Sequence, residues 1–243
     1  MNRDNPGILI AVEGIDGAGK TTQVDLLTQF FESVGEPLVR SKEPTDGPWG
    51  QKIRRSAANG RLTLREELAA FIEDRKEHLR DKILPALRCG KTVILDRYFY
   101  STIAYQGARS GDVEGVAAAA TVDVPEPDAV LLLDLPPAVG RARIAEGRGE
   151  TPNAFETADN LKDVRAAFLR LAASRPHITV IDASPSAKIV QATILKTLLD
   201  GVLMRRHCAK HWGCDDPFNC AYRITGECRW ATMMKRADEF VQR

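Results

Sequence analysis

The chain has 243 residues, of which 44% are hydrophobic and 28% charged, the balance of a soluble globular protein rather than a disordered or fibrous one. Its net charge of +1 excludes a molecule drawn as a whole to nucleic acid or to an acidic membrane surface. No apolar run reaches the roughly 18 residues of a membrane span.

Residues 1–7 lead directly into an apolar run, so no signal peptide is expected and a cytoplasmic location is. The run Ile8-Leu9-Ile10-Ala11-Val12 reads as a strand buried on both faces, as in a parallel sheet. It enters Gly14-Ile15-Asp16-Gly17-Ala18-Gly19-Lys20-Thr21-Thr22, which fits the phosphate-loop pattern G-x-x-x-x-G-K-[ST]. A helix bearing Val24, Leu26, Leu27, Phe30 and Phe31 follows, so the motif has the strand–loop–helix context it requires. Glycines let backbone N–H groups converge on phosphate oxygens, and the helix start adds partial positive charge. Residues 14–22 are therefore the expected ATP-binding loop. Lys20 would reach the β- and γ-phosphates, and Thr21 would hold Mg²⁺ through its hydroxyl.

Leu38–Ser41 reads as a short second strand, and residues 42–48 as the loop at its carboxyl end, where ligands sit in open α/β sheets. Residues 50–59 suit a short basic helix and residues 65–88 a long one, with Pro85 in conflict near its end. Thr92–Leu95 is another buried strand, ending in Asp96-Arg97. An acid there suits a Mg²⁺-organising carboxylate, and Arg97 suits bidentate binding of a second phosphate; a plain surface Asp-Arg pair is the competing reading. Ala129–Asp134 is a fourth strand, and Pro136–Ala145 a helix leading into a polar Gly/Pro-rich stretch. With Arg141, Arg143 and Arg148 leading in, residues 141–154 read as a lid over phosphates or as an ordinary solvated loop. Residues 155–173 suit a helix, Ile178–Asp182 a fifth strand and residues 186–204 a closing helix. The order predicts an α/β fold: a five-stranded parallel sheet flanked by helices.

Four blocks in order resemble the thymidylate kinase family of P-loop nucleoside monophosphate kinases over about residues 8–200. They are Glu13–Thr22, Lys42-Glu43-Pro44-Thr45, Phe71-Ile72-Glu73-Asp74-Arg75, and Asp96–Gly107. The resemblance implies transfer of the ATP γ-phosphate to dTMP, with Mg²⁺, in a homodimer. It implies that Phe71 stacks on thymine, that Arg75 one turn on binds its O4, and that Thr102 faces the base edge. Tyr105 and Gln106 would lie by sugar and base, with Glu43 and Pro44 in the same substrate pocket. Asp96 would organise Mg²⁺ and phosphates, Arg97 would hold the acceptor phosphate, and Asp16 would sit between the phosphates near the sugar. Phe155 and Glu156 resemble the family's aromatic-Glu pair after the lid.

Two departures stand out. Some members carry an arginine in the phosphate loop where this chain has Gly17, so a lid arginine, Arg143 or Arg148, must serve. The family's usual Asp-Arg before the aromatic-Glu pair is here Asn153-Ala154. A kinase for another nucleoside monophosphate, or a weakly catalytic P-loop protein sensing through its tail, are the alternatives.

Residues 1–204 are thus expected to form the kinase domain and 205–243 a Cys/His-rich extension outside the resemblance. Cys208, Cys214, Cys220 and Cys228, with His207 and His211, are candidate ligands for Zn²⁺ or an iron–sulfur cluster, although their spacing is not that of common zinc modules. Free thiols or regulatory disulfides compete with that reading. Eight basic residues against five acidic ones, with Trp212, Tyr222 and Trp230 interleaved, suit a solvated helix end better than a nucleic-acid surface.

Overall fold

The computed structural model describes residues 7–148, 158–209 and 229–242. Its centre is β1 (Ile8–Gly14), buried at every position. On one side β1 pairs with β3 (Thr92–Asp96), and β3 with β2 (Leu38–Lys42); on the other β1 pairs with β4 (Ala129–Asp134), and β4 with β5 (Ile178–Asp182). All pairings are parallel, as the sequence pattern predicts, and the strand order is β2-β3-β1-β4-β5. From β1 the chain goes to the edge strand β2, returns to β3 beside β1, and then crosses to β4 and β5 on the other side; the crossing opens a crevice at the carboxyl ends beside β1. The register sets Asp96 level with both Val12 and Lys42. Three strand ends, and the loops that follow them, therefore meet at one place.

Helices cover both faces. They are α1 (Lys20–Ser33), α2 (Pro48–Asn59), α3 (Leu64–His78), α4 (Leu84–Arg88), α5 (Phe99–Ser110), α6 (Val113–Ala120), α7 (Pro137–Arg148), α8 (Ala158–Ala173), α9 (Ala187–Asp200), α10 (Val202–Ala209) and α11 (Arg229–Gln242). Helix α3 starts with a capping box, in which the Thr63 side chain accepts from Glu66 N–H and the Glu66 carboxylate accepts from Thr63 N–H. The single helix expected over 65–88 is instead α3 and α4 joined by a π-helical segment, Leu79–Ile83. Pro85 cannot donate to the carbonyl four residues back and crowds it, so the wider segment takes up the mismatch. The helix expected over 186–204 breaks at Gly201, between α9 and α10.

Helix α11 lies beyond the resemblance but packs into the same core. Trp230 is fully buried and donates its indole N–H to Leu199 O at 2.7 Å. Met233 and Ala237 are buried too, and Phe240 meets Phe30 of α1 edge to face at 5.8 Å. Trp230 is thus a core residue and not a stacking platform on the surface. Among the described residues no helix is long and apolar enough to cross a membrane.

Candidate active site

The crevice at the strand ends is a cleft of about 950 Å³. Residues 16–19 of the phosphate loop form its floor, and two glycines explain the loop's shape. Gly14 has φ +143°, and a Cβ there would lie 2.5 Å from Leu133 O. Gly17 has φ +80°, and a Cβ there would lie 2.2 Å from Gly140 O on α7. An arginine at position 17 would therefore meet both backbone strain and backbone atoms. The loop rests directly on the helix that leads toward residues 149–157.

Lys20 is buried and donates from Nζ to Ile15 O at 2.8 Å. Burial lowers its pKa to about 8; Arg97 pushes the same way, and the carboxylates of Asp16, Asp96 and Glu13 push back. Thr21 Oγ1 donates to Asp96 Oδ2 at 2.6 Å. A hydroxyl and a carboxylate oxygen this close, at the mouth of a phosphate loop, are a donor set of the hard oxygens that Mg²⁺ prefers, so these residues fit the ion.

Arg97 sits one residue past β3 with φ +71°, a strained position for a side-chain-bearing residue. Its Nη2 donates to Asp16 Oδ1 at 2.5 Å and its Nη1 to Ser101 Oγ at 3.0 Å, with Gly14 O 3.3 Å away. Burial opposes its charge, but Asp16, Tyr105, Asp96 and Glu13 outweigh that and raise its pKa. Tyr105 OH donates to Asp16 Oδ2 at 2.6 Å and accepts from Asp16 N–H at 3.1 Å. Burial, then Asp16, pushes the Tyr105 phenol up, so it acts as a neutral donor.

At the other end Phe71 and Arg75 share a face of α3 and both line the cleft. Phe71 is only half-buried, whereas Arg75 is 1% exposed. Arg75 donates from Nη2 to Thr102 Oγ1 at 2.8 Å and from Nε to Glu43 Oε2 at 3.0 Å. Its guanidinium also lies 5.5 Å from the Tyr98 ring centre. Pro44, preceded by a cis peptide, lines the cleft beside Glu43. Gln106 donates from Nε2 to Glu67 Oε1 at 2.9 Å. Glu67 is fully buried between Arg61 and Arg109.

The structure thus brings together around the cleft residues 16–22 of the loop and the predicted residues of the Glu43-Pro44 segment, of α3 and of the Asp96-Arg97/α5 block, whereas Gly14 and Ile15 do not line it and Ile15 packs in the core. Arg143 also lines the cleft, where its Nη1 and Nη2 donate to Ala183 O at 3.0 Å and Ser184 O at 3.1 Å. Helix α7 runs through Arg148, but the side chain of Arg148 lies outside the described residues, as do Phe155 and Glu156. The same holds for Cys214, Cys220, Cys228 and His211, and for the side chains of His207 and Cys208 in α10. Among the described residues no three His, Cys, Asp or Glu side chains gather as a metal site.

Sequence reasoning missed several groups. Glu13, fully buried in β1, accepts from Tyr98 N–H at 2.8 Å and from Ser101 Oγ at 2.6 Å. An acid inside an apolar strand was the available signal. Asp74 holds Thr45 through N–H at 2.8 Å and Oγ1 at 2.6 Å, which ties the loop after β2 to α3. Gln23 donates to Ala187 O at 3.0 Å and ties α1 to the start of α9.

Residues 12–194 match the family model described as thymidylate kinase. The chain is 50% identical over 198 residues to a thymidylate kinase of Xanthomonas campestris pv. campestris (strain B100), covering 80% of this chain and 86% of that protein. A thymidylate kinase of Xanthomonas oryzae pv. oryzae (strain PXO99A) gives the same identity over 198 residues. A thymidylate kinase of Xylella fastidiosa (strain M12) is 47% identical over 199 residues, 82% of this chain and 90% of that protein.

Proposed function

The chain belongs to the thymidylate kinase family, and from that premise we propose that it transfers the γ-phosphate of ATP directly to dTMP, giving dTDP and ADP. It is an ATP-dependent nucleoside monophosphate kinase. The observation that carries the choice of acceptor is one cleft with a phosphate loop at one end and Phe71, Arg75 and Thr102 at the other.

The donor triphosphate lies along backbone N–H groups of residues 14–19 and the start of α1, with the Lys20 ammonium on its outer phosphates. Phosphate binding draws Lys20 from Ile15 O and offsets the burial that disfavours its charge. Thr21 and Asp96 would hold Mg²⁺, which neutralises phosphate charge when bound. The thymine ring stacks on Phe71, an apolar half-exposed face, while an Arg75 donor meets a base carbonyl oxygen. Tyr105 and Asp16 close the sugar side, and Arg97 grips the 5′-phosphate with its planar fork. The reacting oxygens are brought in line by these contacts; no covalent intermediate is needed, and positioning with charge neutralisation supplies the rate.

Arg143 steadies the connection between β5 and α9 at the nucleotide end through its two carbonyl contacts, and Arg148 supplies the transition-state charge. A homodimer belongs to the reading through the resemblance, and a cytoplasmic setting through the sequence. So does a division into a kinase domain, 1–204, and an extension, 205–243, whose cysteines take a metal; metal analysis of anaerobically purified protein that finds neither zinc nor iron would remove the metal.

The test separates the two ends of the cleft. Arg97→Ala and Arg75→Ala should each raise KM for dTMP at least about tenfold while leaving KM for ATP near its starting value. Equal losses toward both substrates would contradict the assignment.

A further inference from the structure

The acceptor-phosphate arginine is held from behind by a residue that lies on another strand. Glu13 ends the apolar run of β1, immediately before Gly14, and its side chain is sealed from water. Its Oε1 accepts from Tyr98 N–H at 2.8 Å and from Ser101 N–H at 3.3 Å. Tyr98 is the N-cap residue of α5, and Ser101, whose N–H also donates to Tyr98 O at 3.0 Å, lies in its first turn, so Glu13 caps that helix from across the sheet. Its Oε2 accepts the Ser101 hydroxyl proton at 2.6 Å, and Ser101 Oγ accepts from Arg97 Nη1 at 3.0 Å.

A serine hydroxyl has one proton. While that proton goes to Glu13, only lone pairs face Arg97, and the guanidinium has an acceptor fixed in place. The same carboxylate ties down the N–H of Tyr98, the residue after the left-handed Arg97, and Val12 O takes the Arg97 N–H at 3.0 Å. Both sides of the strained residue are thus pinned by consecutive residues of β1. We infer that Glu13 and Ser101 are positioning residues for acceptor binding: they set the direction of the Arg97 guanidinium by fixing the Ser101 hydroxyl as an acceptor. The inference rests on Arg97 holding the 5′-phosphate.

Neither residue need touch substrate to act in this way. A purely structural cap would need only the N–H contacts. Positioning needs the hydroxyl relay, and Ser101→Ala removes the relay while leaving Glu13 and its backbone contacts. The experiment measures KM for dTMP, KM for ATP, kcat and melting temperature for the full chain and for E13Q, S101A, the double variant and R97A. We expect KM for dTMP to rise roughly tenfold in S101A with KM for ATP and melting temperature near the starting values. E13Q should raise it similarly, and the double variant should be no worse than the weaker single, because all three break one chain of bonds.

An unchanged KM for dTMP in S101A, with R97A still impaired, would overturn the relay and keep the role of Arg97. Effects of E13Q and S101A that add would do the same. An R97A variant with normal KM for dTMP would overturn the role of Arg97 and the relay with it. If E13Q fails to fold, S101A alone decides.

Discussion

Glu43 and Arg75 form an ion pair shut away from water: both side chains are under 4% exposed, and Arg75 Nη2 lies 2.9 Å from Glu43 Oε2. The second carboxylate oxygen lies 3.1 Å from His78 Nδ1, and His78 Nε2 lies 2.8 Å from Ser41 Oγ. The pair joins the loop after β2 to α3, so one contact both holds the fold and aims the guanidinium at the base end of the cleft.

Removing one partner of a buried pair leaves the other charge uncompensated, which costs about 3–5 kcal/mol. Glu43→Ala should therefore lower stability by about that much at pH 7 and raise KM for dTMP. Burial acts to raise the Glu43 carboxyl, but Arg75 and His78 outweigh it and hold the pKa below its usual 4.5. A carboxylate lowered in the folded state contributes stability above its unfolded pKa and loses it as pH falls through the folded one. Denaturant unfolding at pH 7 and at decreasing pH below 4.5 should show the gap between wild type and variant closing toward acid. A gap that widens would contradict this.

Gly17 and Gly140 pack backbone to backbone, where the loop meets α7. Gly17→Arg should destabilise the protein by at least about 1–2 kcal/mol from the positive φ alone. It should not raise kcat. Melting and turnover of the variant check both statements, and a faster enzyme would show that the loop can shift away from α7.

Arg148 and Arg143 should separate kinetically. Arg148→Ala should lower kcat by ~10³-fold if it supplies the transition-state charge. Arg143→Ala should act mainly on KM for ATP, because its guanidinium is held by the carbonyls of Ala183 and Ser184. Reversed effects would exchange the two roles.

Burial raises the pKa of Glu13 to about 7; the Ser101 hydrogen bond, Arg97, the Tyr98 N–H and Lys20 oppose it, and Tyr100 is the other titratable group facing it. An acid raised in the folded state stays protonated there after the unfolded chain has lost its proton. Its contribution to stability is therefore full below the unfolded value of 4.5 and falls as pH rises toward 7. Only ionised Glu13 must accept the Ser101 proton, so KM for dTMP should fall as pH rises through about 7. Glu13→Gln should lack that step and keep the one due to the acceptor phosphate itself, near pH 6.

Helix α11 closes the back of the nucleotide side, against α1 and α9. Trp230→Ala should cost about 3–5 kcal/mol by opening a cavity and losing the bond to Leu199 O. A melting temperature unchanged by the substitution would mean that the helix does not hold that position in solution.

What the sequence revealed followed local rules. Alternating signals of strand and helix, and a glycine pattern with one mechanism behind it, fixed the sheet and the phosphate loop. The Phe71–Arg75 spacing placed two groups on one helix face. What stayed hidden depended on partners far along the chain. Glu13 finds Ser101 88 residues on, and Gln106 finds Glu67 39 residues back. The π segment at Leu79–Ile83 needed the cost of Pro85 to be weighed against continued packing. The apolar spacing of Trp230, Met233, Ala237 and Phe240 marks a helical face, but nothing local to it says that the face packs on Leu199 and Phe30, which lie far back along the chain.

The most direct measurement is ADP release by the full chain with ATP and Mg²⁺ against dTMP, dUMP, dCMP, dGMP and UMP, each under saturating donor. Turnover should depend on the acceptor and be greatest with dTMP. Protein that binds ATP yet shows no turnover with any of the five would contradict the account and favour binding or sensing through the extension, residues 205–243.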